Sequence, residues 1–226
     1  MDAVLPARLV VSLYDYADGE QFAWDHQATV SNDAGVFYGL KRVGGITYVV
    51  FRGTDTPIDF VRDAEAYTAY DPDLGSVYAG FLRDMRATAS YILSRCYDPL
   101  VVVGHSLGAM RANVFCGLAK IKGAEIIRRV TFGEPWGCGQ HLANLIADIP
   151  AAAYCAISGE DRDPVTELPP QIGPIFDYFR PSPLIDLPVT VTAAARADLP
   201  LCPLHYSPGY LAGVKALEAA HVAENP

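Results

Sequence analysis

The stretch that most restricts the fold of this chain is DPLVVVGHSLGAMRANVFCGLAKI, residues 98–121. Its first part is an unbroken apolar run that ends at Gly104, which is typical of a parallel strand buried on both faces. The residues that follow, from Leu107 to Ile121, predict a helix. A buried strand that passes directly into a helix indicates an α/β domain, in which helices cover a mostly parallel sheet.

The same alternation recurs on both sides of this stretch. GVFYGLKRVGGITYVVFRG (35–53) predicts two strands around a turn, of which the second is the more hydrophobic and the more central. Downstream, IIRRVTFG (126–133) and AAAYCAIS (151–158) predict strands, with a helix over QHLANLIADI (140–149) between them. The sequence therefore predicts one α/β domain over residues 1–226, with helices on both faces of the sheet.

Four further elements are predicted from local apolar spacing. Helices are expected near Arg8–Ala17, over residues 79–96 and from about Pro208 to Val222, and a strand is expected over Pro188–Thr192. No internal repeat or low-complexity linker divides the chain, so the sequence predicts no second domain.

The charge balance and the cysteines exclude several functions. The chain has 26 acidic and 17 basic residues, with a formal net charge of −9 and no cluster of Lys and Arg, so nucleic acid is not an expected partner. An acidic surface also disfavours docking onto anionic membranes, and we expect at most peripheral contact with a lipid surface. The five cysteines form no zinc or redox motif, and the sequence predicts neither a metal nor an organic cofactor.

The amino terminus, MDAVLPARLVVSLYDYA, does not have the form of a secretory leader, because an acid stands at position 2 and an arginine interrupts the apolar run. No stretch reaches transmembrane length, and the number of cysteines is odd. These features predict a leaderless protein of a reducing compartment such as the cytoplasm. The sequence makes no prediction of the oligomeric state.

The turn between the strand and the helix has the pattern of a nucleophile elbow. Gly104-His105-Ser106-Leu107-Gly108 is a G-x-S-x-G sequence in the strand–turn–helix context that such an elbow requires. The turn is tight, so the positions two before and two after the serine must lack bulk, and His105 is held within it. A phosphate-binding loop is the poorer interpretation, because neither G-x-G-x-x-G nor Gly-Lys-Ser/Thr occurs here.

A serine nucleophile needs a histidine base, which in turn needs an acid to orient it. In a sheet of this type the three follow the chain order Ser, acid, His. Among the five histidines, only His205 and His221 lie downstream of every candidate acid. His221 falls at the end of the last predicted helix, whereas His205 lies in a loop just before it, so His205 is the predicted base.

The acid is expected after the strand AAAYCAIS, in the stretch SGEDRDPVTELPP (158–170). Three carboxylates are available there: Glu160, Asp161 and Asp163. Ligands and catalytic groups gather at the carboxyl ends of parallel strands, which selects this cluster but not one member of it.

Six short motifs occur in one order between about residues 46 and 211: VVFRGTD, VYAGFL, VVVGHSLG, VTFGEPWGCG, DPVTELPP and HYSPGY. In this series the chain resembles the class 3 (fungal-type) lipases. The resemblance implies an α/β-hydrolase fold and selects Asp163 as the acid, because the family's acid heads a segment similar to DPVTELPP. It also implies that Thr54 and the backbone N–H of Leu107 form the oxyanion hole, which stabilises the negative charge of the tetrahedral intermediate.

By position, residues 55–74 correspond to the lid of such lipases. The segment contains few large apolar side chains and six acids, which are Asp55, Asp59, Asp63, Glu65, Asp71 and Asp73. Lids that respond to lipid interfaces expose an apolar face, so this composition predicts either a small flap or ordinary helix packing, and a preference for soluble or dispersed esters over bulk triglyceride.

The resemblance implies a carboxylic ester hydrolase that acts on a small-molecule ester or lipid through Ser106, Asp163 and His205. Two alternatives stay open from the sequence. The same acyl-enzyme could transfer its acyl group to an alcohol, thiol or amine, or the hydrolase fold could bind a ligand without catalysis.

Overall fold

An eight-stranded, mainly parallel sheet lies at the centre of the computed structural model. The structure describes residues 3–14, 21–28, 36–54, 68–168 and 178–224. In chain order the strands are β1 (His26–Ala28), β2 (Tyr38–Val43), β3 (Ile46–Phe51), β4 (Thr68–Asp71), β5 (Gly75–Tyr78), β6 (Leu100–His105), β7 (Ile126–Phe132), β8 (Ala151–Ser158), β9 (Asp161–Arg162) and β10 (Leu184–Pro188).

The sheet has the strand order β1-β2-β3-β6-β7-β8-β10, with β9 paired to β8. The pairs from β3 to β10 along this path are parallel, whereas β1–β2, β2–β3 and β8–β9 are antiparallel. Strands β4 and β5 form a separate antiparallel hairpin. Parallel pairing brings the carboxyl ends of β3, β6, β7 and β8 to one edge of the sheet, where the loops that follow them meet.

Helices lie on both faces of the sheet. In chain order they are α1 (Val4–Leu13), α2 (Ala79–Leu82), α3 (Met85–Leu93), α4 (Leu107–Ile121), α5 (Gln140–Leu145), α6 (Ala193–Asp198) and α7 (Ser207–Glu224). Two short 3₁₀ helices cover Pro164–Glu167 and Pro203–His205. Among the described residues, none of these helices combines the length and the apolar character that crossing a membrane requires.

The side chains of β6 show why both faces of the sheet are covered. Leu100 and Val102 pack into one apolar layer with α3 and α4, whereas Val101 and Val103 pack into the opposite layer with α1 and α7. Each is at most 5% exposed, and burying a side chain of this size contributes about 1.5–3 kcal/mol. The unbroken apolar run in the sequence therefore reflects burial on two faces, as predicted.

The predicted mostly parallel α/β architecture is confirmed, but several local predictions were wrong. The helix expected over residues 79–96 is divided into α2 and α3, because Asp84 between them has a φ of 58° and an α-helix cannot contain that conformation. The strand expected at Pro188–Thr192 is β10, four residues earlier, where Leu187 is buried against the core.

Two predicted helices have different ends in the structure. Helix α1 starts at Val4, before the predicted start, and residues 15–17 of the predicted helix lie outside the described residues. Helix α5 ends at Leu145, shorter than predicted. The sequence also did not predict β1, the β4–β5 hairpin or α6, which are short and have little periodicity of their own.

Candidate active site

The G-x-S-x-G turn forms a strained elbow between β6 and α4. Ser106 stands between the last residue of the strand and the first residue of the helix, with φ 60° and ψ −133°. A non-glycine residue in such a sparsely populated region costs of order 1–3 kcal/mol and is typical of functional sites. Among the described non-glycine residues, only Asp84 also has a positive φ.

Gly104 and Gly108 permit this elbow because the backbone passes too close for any side chain. A Cβ atom on Gly104 would lie 2.3 Å from the carbonyl oxygen of Gly108, and one on Gly108 would lie 2.2 Å from the carbonyl oxygen of Phe51. The first turn of α4 therefore packs directly on the end of β3. The predicted reason for the two glycines, lack of room, agrees with these distances.

The predicted acid and base form a buried hydrogen bond. His205 Nδ1 lies 2.6 Å from Asp163 Oδ2, and both side chains are at most 1% exposed. Asp163 caps the 3₁₀ helix that follows β9, where its Oδ1 accepts a hydrogen bond from the backbone N–H of Val165 at 3.0 Å. His205 ends the second 3₁₀ helix, and one residue separates it from α7.

The neighbouring carboxylates are placed differently. Glu160 and Asp161 are exposed, in the turn between β8 and β9 and in β9 itself. Of the three acids that the sequence left open, Asp163 is therefore the one that contacts His205. The prolines at 169 and 170, which end the matching motif, lie outside the described residues.

Tyr210, on α7, is a further hydrogen-bond donor to Asp163, and its role was not predicted from the sequence. Its hydroxyl donates to Asp163 Oδ2 at 2.5 Å and accepts from the backbone N–H of Ala156 at 3.1 Å. Burial, together with the nearby Asp163 carboxylate, raises the pKa of Tyr210 well above its ordinary value of 10, so the hydroxyl keeps the proton that it donates. The only signal in the sequence was its position at the end of HYSPGY.

Ser106 and His205 lie on adjoining elements, and both are buried. The His205 ring stacks on the ring of His105, the residue before the serine, with a centroid separation of 4.5 Å. Within the part of the chain that the structure describes, neither Ser106 Oγ nor His205 Nε2 forms a hydrogen bond. Contacts between nucleophile and base are often long before substrate binds, so this geometry is compatible with both proposed roles.

Gly133, the residue after β7, leaves room for the acid–base pair. It has a φ of 57°, and a Cβ atom there would lie 2.7 Å from His205 Cε1 and 2.8 Å from Asp163 Oδ2. The side chains of Asp163 and His205 therefore pack directly on the backbone of this residue, whose role the sequence analysis did not predict.

The two predicted oxyanion donors flank the elbow. Thr54 is half-buried and follows Gly53, where a Cβ atom would lie 2.6 Å from Ser106 Cβ. Leu107 is the residue after the serine and the first residue of α4. The loop that follows β3 therefore lies against Ser106, and α4 begins at the residue after it, while the roles of Thr54 and Leu107 as oxyanion donors stay predictions.

A buried polar network connects α4, the helix that follows Ser106, to the neighbouring strand β7. Glu134 accepts hydrogen bonds from Asn113 at 2.9 Å and from Thr131 at 2.6 Å, and it forms an ion pair with Arg129 at 3.3 Å. All four side chains are at most 1% exposed. Arg129 also donates to Asn113 and to Ser182, so the network joins β7 and α4 to the segment before β10.

The remaining histidines lie outside this arrangement, and most of the predicted flap falls on residues that the structure does not describe. His26 lies in β1, His221 is exposed on α7, and His141 Nε2 is 3.2 Å from the Asp73 carbonyl oxygen. Residues 55–67 of the predicted flap lie outside the described residues, and its last residues form β4 and the turn after it. Among the described residues, no three His, Cys, Asp or Glu side chains gather as metal ligands would.

The strand order, the elbow serine after β6 and the buried Asp–His pair together define the class of α/β-hydrolases with a serine nucleophile. The sequence model of the family "Lipase (class 3)" matches residues 48–173, more than half of the chain. The chain belongs to the class 3 lipase family and is thereby a carboxylic ester hydrolase.

Solved structures of fungal lipases share the fold. The mono- and diacylglycerol lipase from Aspergillus oryzae is 21% identical, with a TM-score of 0.63 over 85% of this chain and 79% of that chain. Lip2 lipase from Yarrowia lipolytica is 19% identical, with a TM-score of 0.60 over 81% and 77% of the two chains.

The Rhizomucor miehei lipase in complex with its propeptide is 18% identical, with a TM-score of 0.61. This match covers 81% of the present chain but 66% of the Rhizomucor chain. A search of curated protein sequences found no match. At these identities the structures establish the α/β-hydrolase fold, as predicted.

Proposed function

We propose that this class 3 lipase hydrolyses esters of short to medium acyl chains through an acyl-enzyme on Ser106. The observation that carries the proposal is the buried 2.6 Å contact between His205 Nδ1 and Asp163 Oδ2, beside a serine in a strained elbow. Burial of an acid–base pair next to a nucleophile is the arrangement that serine hydrolysis requires.

In the proposed reaction, Ser106 Oγ attacks the acyl carbonyl carbon while His205 Nε2 accepts the hydroxyl proton. Asp163 keeps the other ring proton on Nδ1 and stabilises the imidazolium that forms. The former carbonyl oxygen, now negative, accepts hydrogen bonds from Thr54 and from the Leu107 N–H, each worth about 3–4 kcal/mol. His205 then protonates the leaving alcohol, and a water molecule deprotonated by His205 hydrolyses the acyl-enzyme.

The proposed substrate preference rests on the segment after Thr54. Residues 55–74 contain six acids and few large apolar side chains, a composition that does not favour adsorption to a lipid surface. Two of these acids, Asp71 and Asp73, accept hydrogen bonds from Arg86 at the turn of the β4–β5 hairpin. We therefore expect activity on soluble or dispersed esters, with little increase at an interface.

Labelling with a fluorophosphonate tests the nucleophile. We expect one covalent adduct on Ser106, identified by peptide mass spectrometry, and loss of both the adduct and ester hydrolysis in Ser106→Ala. Ser94→Ala, at an exposed serine after α3, is the matched control and should react as the parent does. A folded parent protein that gives no adduct on Ser106 would overturn the proposed reaction.

A panel of nitrophenyl esters with acyl chains from two to sixteen carbons tests the preference, with and without emulsification. The expected profile has its maximum at short to medium chains. A sharp rise in rate on emulsified long-chain ester would contradict the proposed substrate class.

Product analysis separates hydrolysis from acyl transfer, since the two reactions share the acyl-enzyme. The assay is repeated with millimolar alcohol, thiol or amine acceptors, and the products are separated by chromatography. Free acid should dominate in every case. A new ester, thioester or amide as the main product would show that the protein acts as an acyltransferase and not as a hydrolase.

A further inference from the structure

Tyr14 and His105 form a hydrogen-bonded link between two loops of the site. Tyr14, at the end of α1, has its hydroxyl 2.9 Å from the backbone nitrogen of Gly53 and 2.7 Å from His105 Nδ1. On the other side of the same ring, His105 Nε2 lies 3.0 Å from the carbonyl oxygen of His205. All three contacts are buried.

The chemistry of the end groups determines the direction of every bond. The Gly53 N–H can only donate, so the Tyr14 oxygen accepts from it. The carbonyl oxygen of His205 can only accept, so His105 Nε2 carries a proton and donates it. His105 Nδ1 is then the acceptor for the Tyr14 hydroxyl proton, and the link is fully satisfied with a neutral imidazole.

The surroundings keep His105 neutral. Burial, and then the neighbouring His205, lowers the pKa of His105 well below its ordinary value of 6.5. The two rings stack with an angle of 28° between their planes. A neutral ring in this place can lie against His205 without repulsion when that residue takes up the serine proton.

Tyr14 is itself held by the loop that follows β3. The guanidinium of Arg52, the residue before Gly53, lies 4.9 Å from the centroid of the Tyr14 ring. Arg52 and Gly53 therefore both contact Tyr14, one at its ring and the other at its hydroxyl. These contacts attach the loop to the end of α1 immediately before Thr54, the predicted oxyanion donor.

We propose that Tyr14 and His105 are positioning residues that hold the Gly53–Thr54 loop and the His205 backbone at a fixed separation across Ser106. This inference rests on the proposed function, because it assigns the two residues an effect on the oxyanion and on the base. Neither side chain needs to touch the substrate. Together they align the oxyanion donor and the base, whose separation sets the geometry of the transition state.

The Tyr14→Phe variant removes the link while it keeps the ring. The Gly53 N–H and His105 Nδ1 both lose their partner, and the loop and the ring can move apart. Removing an oxyanion donor outright lowers kcat about 10²–10³-fold, so displacement of its loop should lower kcat about 10–100-fold. KM should change less than about twofold, because interactions made only in the transition state are affected.

The measurement compares kcat per active site, titrated with the fluorophosphonate, with the affinity for a trifluoromethyl ketone that forms a tetrahedral adduct on the serine. In Tyr14→Phe both should fall by the same factor. A purely structural role would lower the titrated fraction of active sites and leave kcat per site unchanged. His105→Leu, which removes the acceptor of the Tyr14 hydroxyl, should reproduce the loss if Tyr14→Phe does not fold.

Tyr38→Phe is the matched control, because Tyr38 is also a buried tyrosine whose hydroxyl approaches a histidine, His26, at 3.4 Å. Its kcat per site should equal that of the parent. The proposal is overturned if Tyr14→Phe and His105→Leu both keep kcat per site within threefold of the parent, or if Tyr38→Phe loses as much. The same assay tests the proposed function separately. If the parent hydrolyses the ester and Ser106→Ala does not, the proposed function holds whatever the result for Tyr14.

Discussion

Replacement of Asp163 by asparagine separates the proposed triad acid from its neighbours in the sequence. The carboxylate accepts three hydrogen bonds: Oδ2 accepts from His205 and Tyr210, and Oδ1 accepts from the N–H of Val165. An asparagine offers only one acceptor oxygen. If that oxygen faces Val165, the amide nitrogen faces His205 and favours the tautomer that carries its proton on Nε2, which cannot accept the serine proton.

The expected loss follows from this change of tautomer. In a serine triad, the corresponding substitution lowers kcat about 10⁴-fold, which is about 5.4 kcal/mol of transition-state stabilisation at about 1.36 kcal/mol per tenfold. KM should change little, because Asp163 is buried beneath the base and has no proposed contact with the substrate. The cap of the 3₁₀ helix is kept in part, since Asn is also a good capping residue.

Steady-state hydrolysis of a soluble ester, normalised to folded protein, measures the effect. Glu160→Gln and Asp161→Asn are the matched controls, because both residues are exposed and should stay within twofold of the parent. A loss of less than tenfold in a folded Asp163→Asn variant would refute the assignment. If Asp161→Asn were the inactive variant, the acid would have been placed two residues too far along the chain.

Three further perturbations test the surroundings of the site. Gly133→Ala should lower kcat about 10²-fold by displacing the Asp–His pair, whereas Gly123→Ala, also at positive φ but in open space, should keep its activity in the same assay. Arg129→Met leaves Glu134 buried without its counter-ion and should lower the free energy of unfolding in urea by about 3–5 kcal/mol, with partial recovery on adding Glu134→Gln. Burial raises the pKa of the Cys116 thiol from 9 to about 12, so the folded state keeps a proton that the unfolded state loses, and stability should fall as the pH rises from 9 toward 12.

Local patterns predicted the frame of the molecule and much of the candidate site. The apolar run before Gly104 predicted a two-sided strand, and the turn after it predicted an elbow, because both depend on neighbours in the chain. Chain order left His205 and His221 as candidate bases, and the position of His205 in a loop before the last helix selected it. For the acid, the position after a predicted strand selected only a cluster of three carboxylates. The choice of Asp163 among them required the resemblance to a family.

Other parts of the site depend on contacts that no local pattern records. Tyr14 meets His105 across 91 positions of the sequence, and Tyr210 meets Asp163 across 47. Gly133 is required because two side chains from distant loops pack on its backbone. Likewise, the break at Asp84 depends on one residue's backbone conformation within an otherwise helical pattern.

The sequence by itself thus determined the strand–helix frame, the elbow and the set of candidate groups, since these depend on periodicity, chain order and the lack of room beside a tight turn. Only the tertiary structure showed that the Asp163 carboxylate meets His205, and only it decided which side chains hold that pair in place. The physical reason is that a hydrogen bond requires atoms within about 3 Å. Such proximity between distant segments arises only when the sheet brings the ends of its parallel strands together.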